Sequence, residues 1–241
     1  MSQKIAISAL SLATVACIGV AFLATSANTM IHDYIINNPQ VLMESVENYQ
    51  KKEMQDRQAH ATEDLKKNKN TILKDSDSPE AGNPKGDVTV VEFFDYNCHF
   101  CKGAFPAVQS LIDKDKNVRV VFKEFPILGP SSETAARWAL AAQKQKKYFE
   151  FHTAMMNNKE QINDELLARV AKNVGMDVDK AKEYVASPDA MIEITKNRTL
   201  AEQLDINGTP AFIIGDDISR GAIPEEAMEE KISEIRKGKK D

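Results

Sequence analysis

The sequence predicts an α/β protein, in which a small core of sheet and helix is interrupted by a helical insertion and preceded by a helical arm. Three observations predict this. Two apolar runs, from Asp87 to Phe94 and from Val118 to Phe122, flank a helical pattern within about 35 residues, which is the signature of a right-handed βαβ unit with parallel strands. After the second run, strand signal returns only at Ala211-Phe212-Ile213-Ile214, and helical periodicity fills the interval. Residues 28–75 contain no Gly and one Pro, and their apolar residues recur at helical spacing.

Taken from the start, residues Ile5 to Ala24 hold sixteen apolar residues in twenty with Lys4 just upstream, which matches a secretory signal. Thr25-Ser26-Ala27 supplies small residues for cleavage after Ala27. An uncleaved membrane anchor is the alternative, because about 20 apolar residues cross a bilayer. Lipidation at Cys17 is a weaker reading, since the apolar run continues past it. Each route exports the rest of the chain.

In the arm, Ile31, Tyr34, Ile35, Leu42, Val46 and Tyr49 fall on one helical face. Pro39 after Asn38 marks the end of a short first helix and an early position of a second. From Gln50 to Asn70 the stripe thins to little more than Met54 and Leu65, so this stretch is expected to bridge through solvent. Residues 28–49 are expected to bury their stripe against another subunit, with 50–74 as a stalk; a loosely ordered leader is the alternative.

Ser76 to Gly86, with two Pro and two Gly, reads as a linker. The strand ending at Phe94 is too apolar for an exposed face, which puts it inside a sheet covered on both sides. Cys98 to about Lys114 is helical, with Phe105, Val108, Leu111 and Ile112 on one side. Ser132 can cap a helix carrying Ala135, Trp138, Ala139 and Ala142, and Phe149, His152 and Met156 continue a helical face. Asn163 starts a further run that Gly175 stops, and Ser187-Pro188 opens another toward Leu204. Gly215-Asp216-Asp217 turns the chain into a short last strand, and a helix from Pro224 to about Arg236 closes it. The expected division is a signal over 1–27, an oligomerisation arm and stalk over 28–75, and a domain over 76–241 with its insertion at about 131–205.

Composition excludes several classes of function. With 42% apolar and 28% charged residues the chain is neither disordered nor collagen-like. A net charge of −5 argues against a nucleic-acid partner held by a general basic field. Three cysteines are too few for a disulfide scaffold, and removing the signal leaves two, Cys98 and Cys101.

Such a C-x-x-C pair is a small structural staple, half a metal site or a redox pair. Closing so short a loop stabilises by only about 2 kcal/mol. Local environment, by contrast, moves C-x-x-C potentials between about −270 and −120 mV, roughly 7 kcal/mol. A closed metal site lacks ligands, because His32, His60 and His152 stand at no short ligand spacing from a cysteine. Haem attachment fails because Lys102 follows Cys101. No cofactor is expected. The redox reading places Cys98 at a helix N-terminus, where amide dipoles favour its thiolate and a cationic His99 would add to the effect; Cys101, one turn later, can resolve a mixed disulfide.

Phe93-Phe94-Asp95-Tyr96-x-Cys98-His99-Phe100-Cys101, the helical insert and Gly208-Thr209-Pro210-Ala211-Phe212 resemble the exported DsbA-type thioredoxin-fold thiol–disulfide oxidoreductases over about residues 87–238. The arm is similar to that of the oligomeric subgroup, which includes copper-sensitivity-suppressor C proteins and Com-type surface antigens. The resemblance implies that Cys98 attacks, that Cys101 resolves, and that Pro210 follows a cis peptide bond facing the active site. Thr209 would then offer its backbone to an extended substrate strand. Glu92, six residues before Cys98, matches a buried acid below the active site and a proton acceptor for Cys101; an exposed strand-edge carboxylate is the alternative. Lys123-Glu124 reads as a structural charge pair. His99 and Phe100 depart from the Pro-His of DsbA oxidases, and Thr209 is common in isomerase-type members.

The expected function is thus an exported, periplasmic enzyme that forms or isomerises disulfides in folding envelope or secreted proteins. Its expected partners are unfolded or misbridged proteins, a membrane redox partner, and itself as a homo-oligomer, a dimer ahead of a trimer. The alternative is a non-enzymatic chaperone or soft-metal (copper) binder using the same cleft.

Overall fold

The structure is a computed structural model that describes residues 27–73, 75 and 78–238. The expected signal and the cysteine at position 17 lie outside the described residues, Ala27 excepted. The chain divides into two units, with the boundary between Asp56 and Arg57.

In the first unit, α1 covers residues 27–37 and α2 (Pro39–Leu73) begins at the expected proline. Asn38 interrupts them, and its side-chain amide donates to the Tyr34 carbonyl at 2.8 Å, satisfying one of the carbonyls that the end of a helix leaves unpaired. Ile31, Tyr34, Leu42, Val46 and Tyr49 are all exposed within this unit.

The second unit begins in the later turns of α2, and here the expectation of a solvent bridge needs correcting. Ala61, Leu65 and Ile72 are buried, the last two in a cluster with Val91, Phe93, Val121, Phe125, Leu204 and Ile206. The apolar stripe is only one residue wide and is flanked by Lys66, Lys67 and Lys69, which hides it in the sequence.

The sheet has five strands in the order β1-β3-β2-β4-β5. These are β1 (Glu80–Gly82), β2 (Val88–Phe94), β3 (Val118–Glu124), β4 (Ala211–Ile214) and β5 (Asp217–Arg220). β2 and β3 are parallel and joined by α3 (His99–Lys114), while the other pairings are antiparallel. β1 lies in the expected linker. Its three residues carry no strand pattern, and they pair because the edge of β3 offers free backbone groups. Gly82 ends it at φ +77°, where a Cβ would stand 2.6 Å from the Val118 carbonyl oxygen.

Both faces of β2 are covered, which explains its unbroken apolar run. Val88, Val90 and Phe94 join α3 and α9 (Glu225–Gly238) in the larger core, and Val91 and Phe93 face the cluster that holds Leu65. Between β3 and β4 come α4 (Pro130–Lys144), α5 (Tyr148–Met156), α6 (Asp164–Asn173), α7 (Val178–Ala186) and α8 (Asp189–Gln203).

Two local expectations in this insertion fail. Ser132 lies inside α4, whose N-cap is Gly129 with Pro130 in the first turn. α7 went unseen because only Ala181 of its nine residues is buried; its start is nonetheless signalled by Asp177, whose carboxylate accepts the Lys180 N–H at 3.1 Å. Asn163 caps α6 as expected, accepting the Leu166 N–H at 2.8 Å.

Lys123 and Glu124 do not pair with each other, because neighbours on a strand point to opposite faces. Lys123 forms an ion pair with Asp75 and donates to Ser78 Oγ. Beside it, Arg119 pairs with Glu80 and donates to the carbonyls of Leu73 and Asp75. The two cations fasten the end of α2 to β3.

Candidate active site

β2 ends at Phe94, and four residues later the chain enters α3 with Cys98 as its N-cap. The Cys98 sulfur accepts the Cys101 N–H at 3.3 Å, and its thiol proton points at the Thr209 carbonyl oxygen, 3.2 Å away. Both cysteines are free thiols and both are buried, Cys98 to 5% exposure and Cys101 fully. Their surroundings drive them apart. Hydrogen bonding from Cys101, with help from the Thr209 side chain and the amides of Cys101 and Phe100, lowers the Cys98 thiol to a pKa of about 6 against the opposing effect of burial. Burial, and then the bond to Cys98, push Cys101 far upward. One sulfur is ready to attack at neutral pH and the other holds its proton.

His99 and Phe100 stand on the exposed first turn of α3, ring centroids 6.0 Å apart. Phe100 is 68% exposed, an apolar ring offered to solvent beside the attacking sulfur. From the other side comes the loop ahead of β4. Its Thr209–Pro210 peptide bond is cis, and the buried Pro210 accepts the Gly221 N–H at 2.8 Å.

Glu92 is no exposed edge carboxylate. It stands on a central strand between Phe122 of β3 and Phe212 of β4 and is 1% exposed. Among the described residues neither of its carboxylate oxygens has a hydrogen-bond partner. Burial, and secondarily the charge of Cys98, raise its pKa to about 8. A carboxyl in this state takes up or releases a proton near neutral pH.

The structure adds residues that sequence reasoning missed as site residues, although Asp95 and Tyr96 belong to the motif that carried the resemblance. The buried Asp95 carboxylate accepts the N–H groups of Asn97, Ile127 and Leu128 at 2.7, 2.8 and 2.9 Å, and its carbonyl accepts the Cys98 N–H at 3.0 Å. The Tyr96 hydroxyl lies 3.3 Å from Glu124 Oε1 and 3.2 Å from His152 Nδ1. Tyr148 donates to the same Glu124 oxygen at 2.8 Å. Burial lowers the His152 pKa to about 3, so the ring is a neutral member of this cluster. The Asn97 amide donates to Ser131 Oγ and Ser132 Oγ, each at 2.9 Å, and Lys102 Nζ donates to the Asn158 carbonyl at 2.7 Å. Among the described residues no group of three or more His, Cys, Asp or Glu side chains is arranged to hold a metal ion.

A C-x-x-C dithiol on a helix that leaves a parallel β2–β3 pair, opposite a cis-proline loop, defines a thioredoxin-fold domain. The particular family follows from comparison: the chain belongs to the DSBA-like thioredoxin domain family, whose model matches residues 89–233. Residues 28–55 match the copper resistance protein ScsC N-terminal domain.

Solved structures agree with this. A thioredoxin-like oxidoreductase from Silicibacter pomeroyi DSS-3 is 41% identical with a TM-score of 0.68, over 70% of this chain and 98% of that one. The thiol–disulfide exchange protein alpha-DsbA2 from Wolbachia pipientis is 32% identical with a TM-score of 0.69, over 74% and 97%. Proteus mirabilis ScsC in a transitional conformation is 26% identical with a TM-score of 0.65, over 89% and 97%. The chain spans about a fifth of the length of the first curated relatives it matches. One of them, Na(+)/H(+) antiporter NhaA 3 of Salinispora tropica, is 29% identical over 143 residues, 58% of this chain and 22% of that protein.

Proposed function

We propose that this chain is an exported protein disulfide oxidoreductase and isomerase that acts on folding envelope or secreted proteins in the periplasm. The observation that carries the reading is the geometry of the pair: Cys98 caps α3, its sulfur accepts the Cys101 N–H at 3.3 Å, and the cis Thr209–Pro210 loop faces it. In the oxidising direction a substrate thiolate attacks Cys98 Sγ of the Cys98–Cys101 disulfide. The bond between the two protein sulfurs breaks, and Cys101 leaves with the electron pair and takes a proton, for which Glu92 is the donor. A second substrate thiolate then attacks the substrate sulfur of the mixed disulfide and displaces Cys98 as a stable thiolate. The substrate gains a disulfide and the protein is left as the dithiol.

In isomerisation the Cys98 thiolate attacks a misplaced substrate disulfide, and either a substrate thiol or Cys101 releases it. Thr209 supplies backbone to an extended substrate segment on one side of Cys98, and His99 and Phe100 form the rim on the other. Thr209 ahead of the proline, together with an oligomerising arm, favours isomerisation or a dual role. A membrane partner would reset the redox state of the pair. The exposed stripe of Ile31, Tyr34, Leu42, Val46 and Tyr49 fits a second copy of the same arm, which supports a homo-oligomer, with a dimer ahead of a trimer.

Cys98→Ala is expected to abolish insulin reduction and the refolding of scrambled ribonuclease, and Cys101→Ala to accumulate covalent substrate complexes. Wild-type rates in Cys98→Ala would overturn the reading. Protection of unfolded protein that survives Cys98→Ala, in a chain without exchange activity, would point to a chaperone.

A further inference from the structure

The three residues that lead into Cys98 each send their side chain to the segment from Glu124 to Ser132 or to α5. Asp95 holds the Ile127 and Leu128 amides. Tyr96 reaches Glu124 at the end of β3 and His152 on α5. Asn97 bridges to Ser131 and Ser132 at the start of α4. Past the second cysteine, Lys102 is tied to the carbonyl of Asn158, just beyond α5. The active-site turn is therefore gripped from both ends by the helical insertion and the chain entering and leaving it.

None of these bonds involves a sulfur atom, yet the grip passes to one through the Asp95 carbonyl, which holds the Cys98 N–H. Thiol exchange is sensitive to such a grip. The attacking sulfur must meet a disulfide in line, and a misplacement of about 1 Å can cost on the order of 100-fold in rate. Stabilisation of the Cys98 thiolate has the same requirement, because it depends on the sulfur staying within reach of the Cys101 amide at 3.3 Å.

The geometry points to Asp95, Tyr96 and Asn97 as positioning residues, through which the helical insertion fixes the Cys98 sulfur against Thr209 and the Cys101 amide. This rests on the exchange reading of the site. It assigns the insertion a part in the chemistry: the insertion is the anchor of the attacking turn as well as a cover for the sheet.

Tyr96 and Tyr148 provide the test. Both are buried and both hydrogen-bond to the same oxygen of Glu124, but only Tyr96 belongs to the turn. In the full chain, Tyr96→Phe keeps the ring and its edge-on packing against Phe94, and removes the hydroxyl alone. Asn97→Ala removes an exposed side chain that serves only as a strap. Both are expected to lower kcat for insulin reduction about five- to tenfold with KM within about twofold. Both should also shift the equilibrium of the cysteine pair with glutathione about threefold or more toward the disulfide, because the thiolate form loses support.

Tyr148→Phe is expected to lower the thermal midpoint as Tyr96→Phe does, with kcat and the glutathione equilibrium held within about twofold. If Tyr96→Phe and Asn97→Ala change only the thermal midpoint, or if Tyr148→Phe changes kcat and the equilibrium as much as Tyr96→Phe, the inference is wrong. Should Tyr96→Phe fail to fold, Asn97→Ala with and without Ser131→Ala and Ser132→Ala decides: the serine changes are expected to add nothing once Asn97 is gone, and full additivity overturns the strap. A wild-type chain without exchange activity sinks the exchange reading itself, whereas normal wild-type exchange with unaffected Tyr96→Phe and Asn97→Ala sinks only the positioning role.

Discussion

Glu92 makes a quantitative demand on stability. Its carboxyl titrates near pH 4.5 when free and near pH 8 in the folded chain. Below pH 4.5 it is protonated in both states and costs nothing. Between the two values the unfolded chain gains by ionising and the folded chain cannot follow, so stability falls by about 1.4 kcal/mol per pH unit. Above pH 8 the loss is constant. From pH 5 to pH 8 the contribution amounts to roughly 3–4 kcal/mol.

Glu92→Gln removes the titration and keeps the shape. It also buries an amide without a partner, a pH-independent cost of roughly 1–3 kcal/mol, so the informative quantity is the change with pH and not the offset. Urea unfolding of the reduced protein, followed by the fluorescence of Trp138, reports the second unit alone, because this is the chain's single tryptophan and it is 3% exposed on α4. The expected result is that wild type loses roughly 3–4 kcal/mol more than Glu92→Gln between pH 5 and pH 8. The gap should narrow in the oxidised protein, where Cys98 carries no charge to repel the carboxylate. Parallel pH dependences would refute the buried, unpartnered state of Glu92. In the reaction, loss of the proton carrier is expected to slow resolution at Cys101 by roughly 100-fold.

Further outcomes follow from the same structure. Alkylation of reduced protein by iodoacetamide is expected to reach half its maximal rate near pH 6, through Cys98, and to level off by about pH 7.5; a rate still climbing through pH 8.5 would mean an ordinary thiol. Leu65→Ala is expected to destabilise the second unit by roughly 2–5 kcal/mol. Met54→Ala, at an exposed position, should stay within about 0.5 kcal/mol, and equal effects in urea melts would contradict the seating of α2 on the sheet. Paired Leu42→Asp and Val46→Asp substitutions in the exposed stripe are expected to give a monomer by sedimentation with unchanged alkylation of Cys98; an assembly that persists would exclude this face as the contact.

Where the burial period was strong, sequence reasoning was accurate. β2, α3, β3, β4 and the start of α6 announce themselves through continuous apolar runs, a one-sided stripe of Phe105, Val108, Leu111 and Ile112, or a cap at Asn163. Where burial was slight, it missed. α7 buries one residue and β1 is three residues of backbone pairing, so neither has a pattern to find. The later turns of α2 hide behind lysines that surround Leu65 and Ile72. Lys123 and Glu124 look like a pair in a line of text and belong to opposite faces of a sheet.

The cysteine pair and its place at a strand-to-helix turn are legible in the sequence from local spacing, whereas the parts given to Pro210 and Glu92 follow there only from the family resemblance. Only the tertiary structure decided the state of each. Glu92 is a buried, unpartnered carboxyl because Phe122 and Phe212 flank it from strands distant in sequence. Cys98 is acidic because Cys101 and Thr209 converge on one sulfur. Asp95, Tyr96 and Asn97 gain their significance from hydrogen bonds to residues 28 to 56 positions away, and proximity of that kind is written in the packing of helices on a sheet and not in any spacing along the chain.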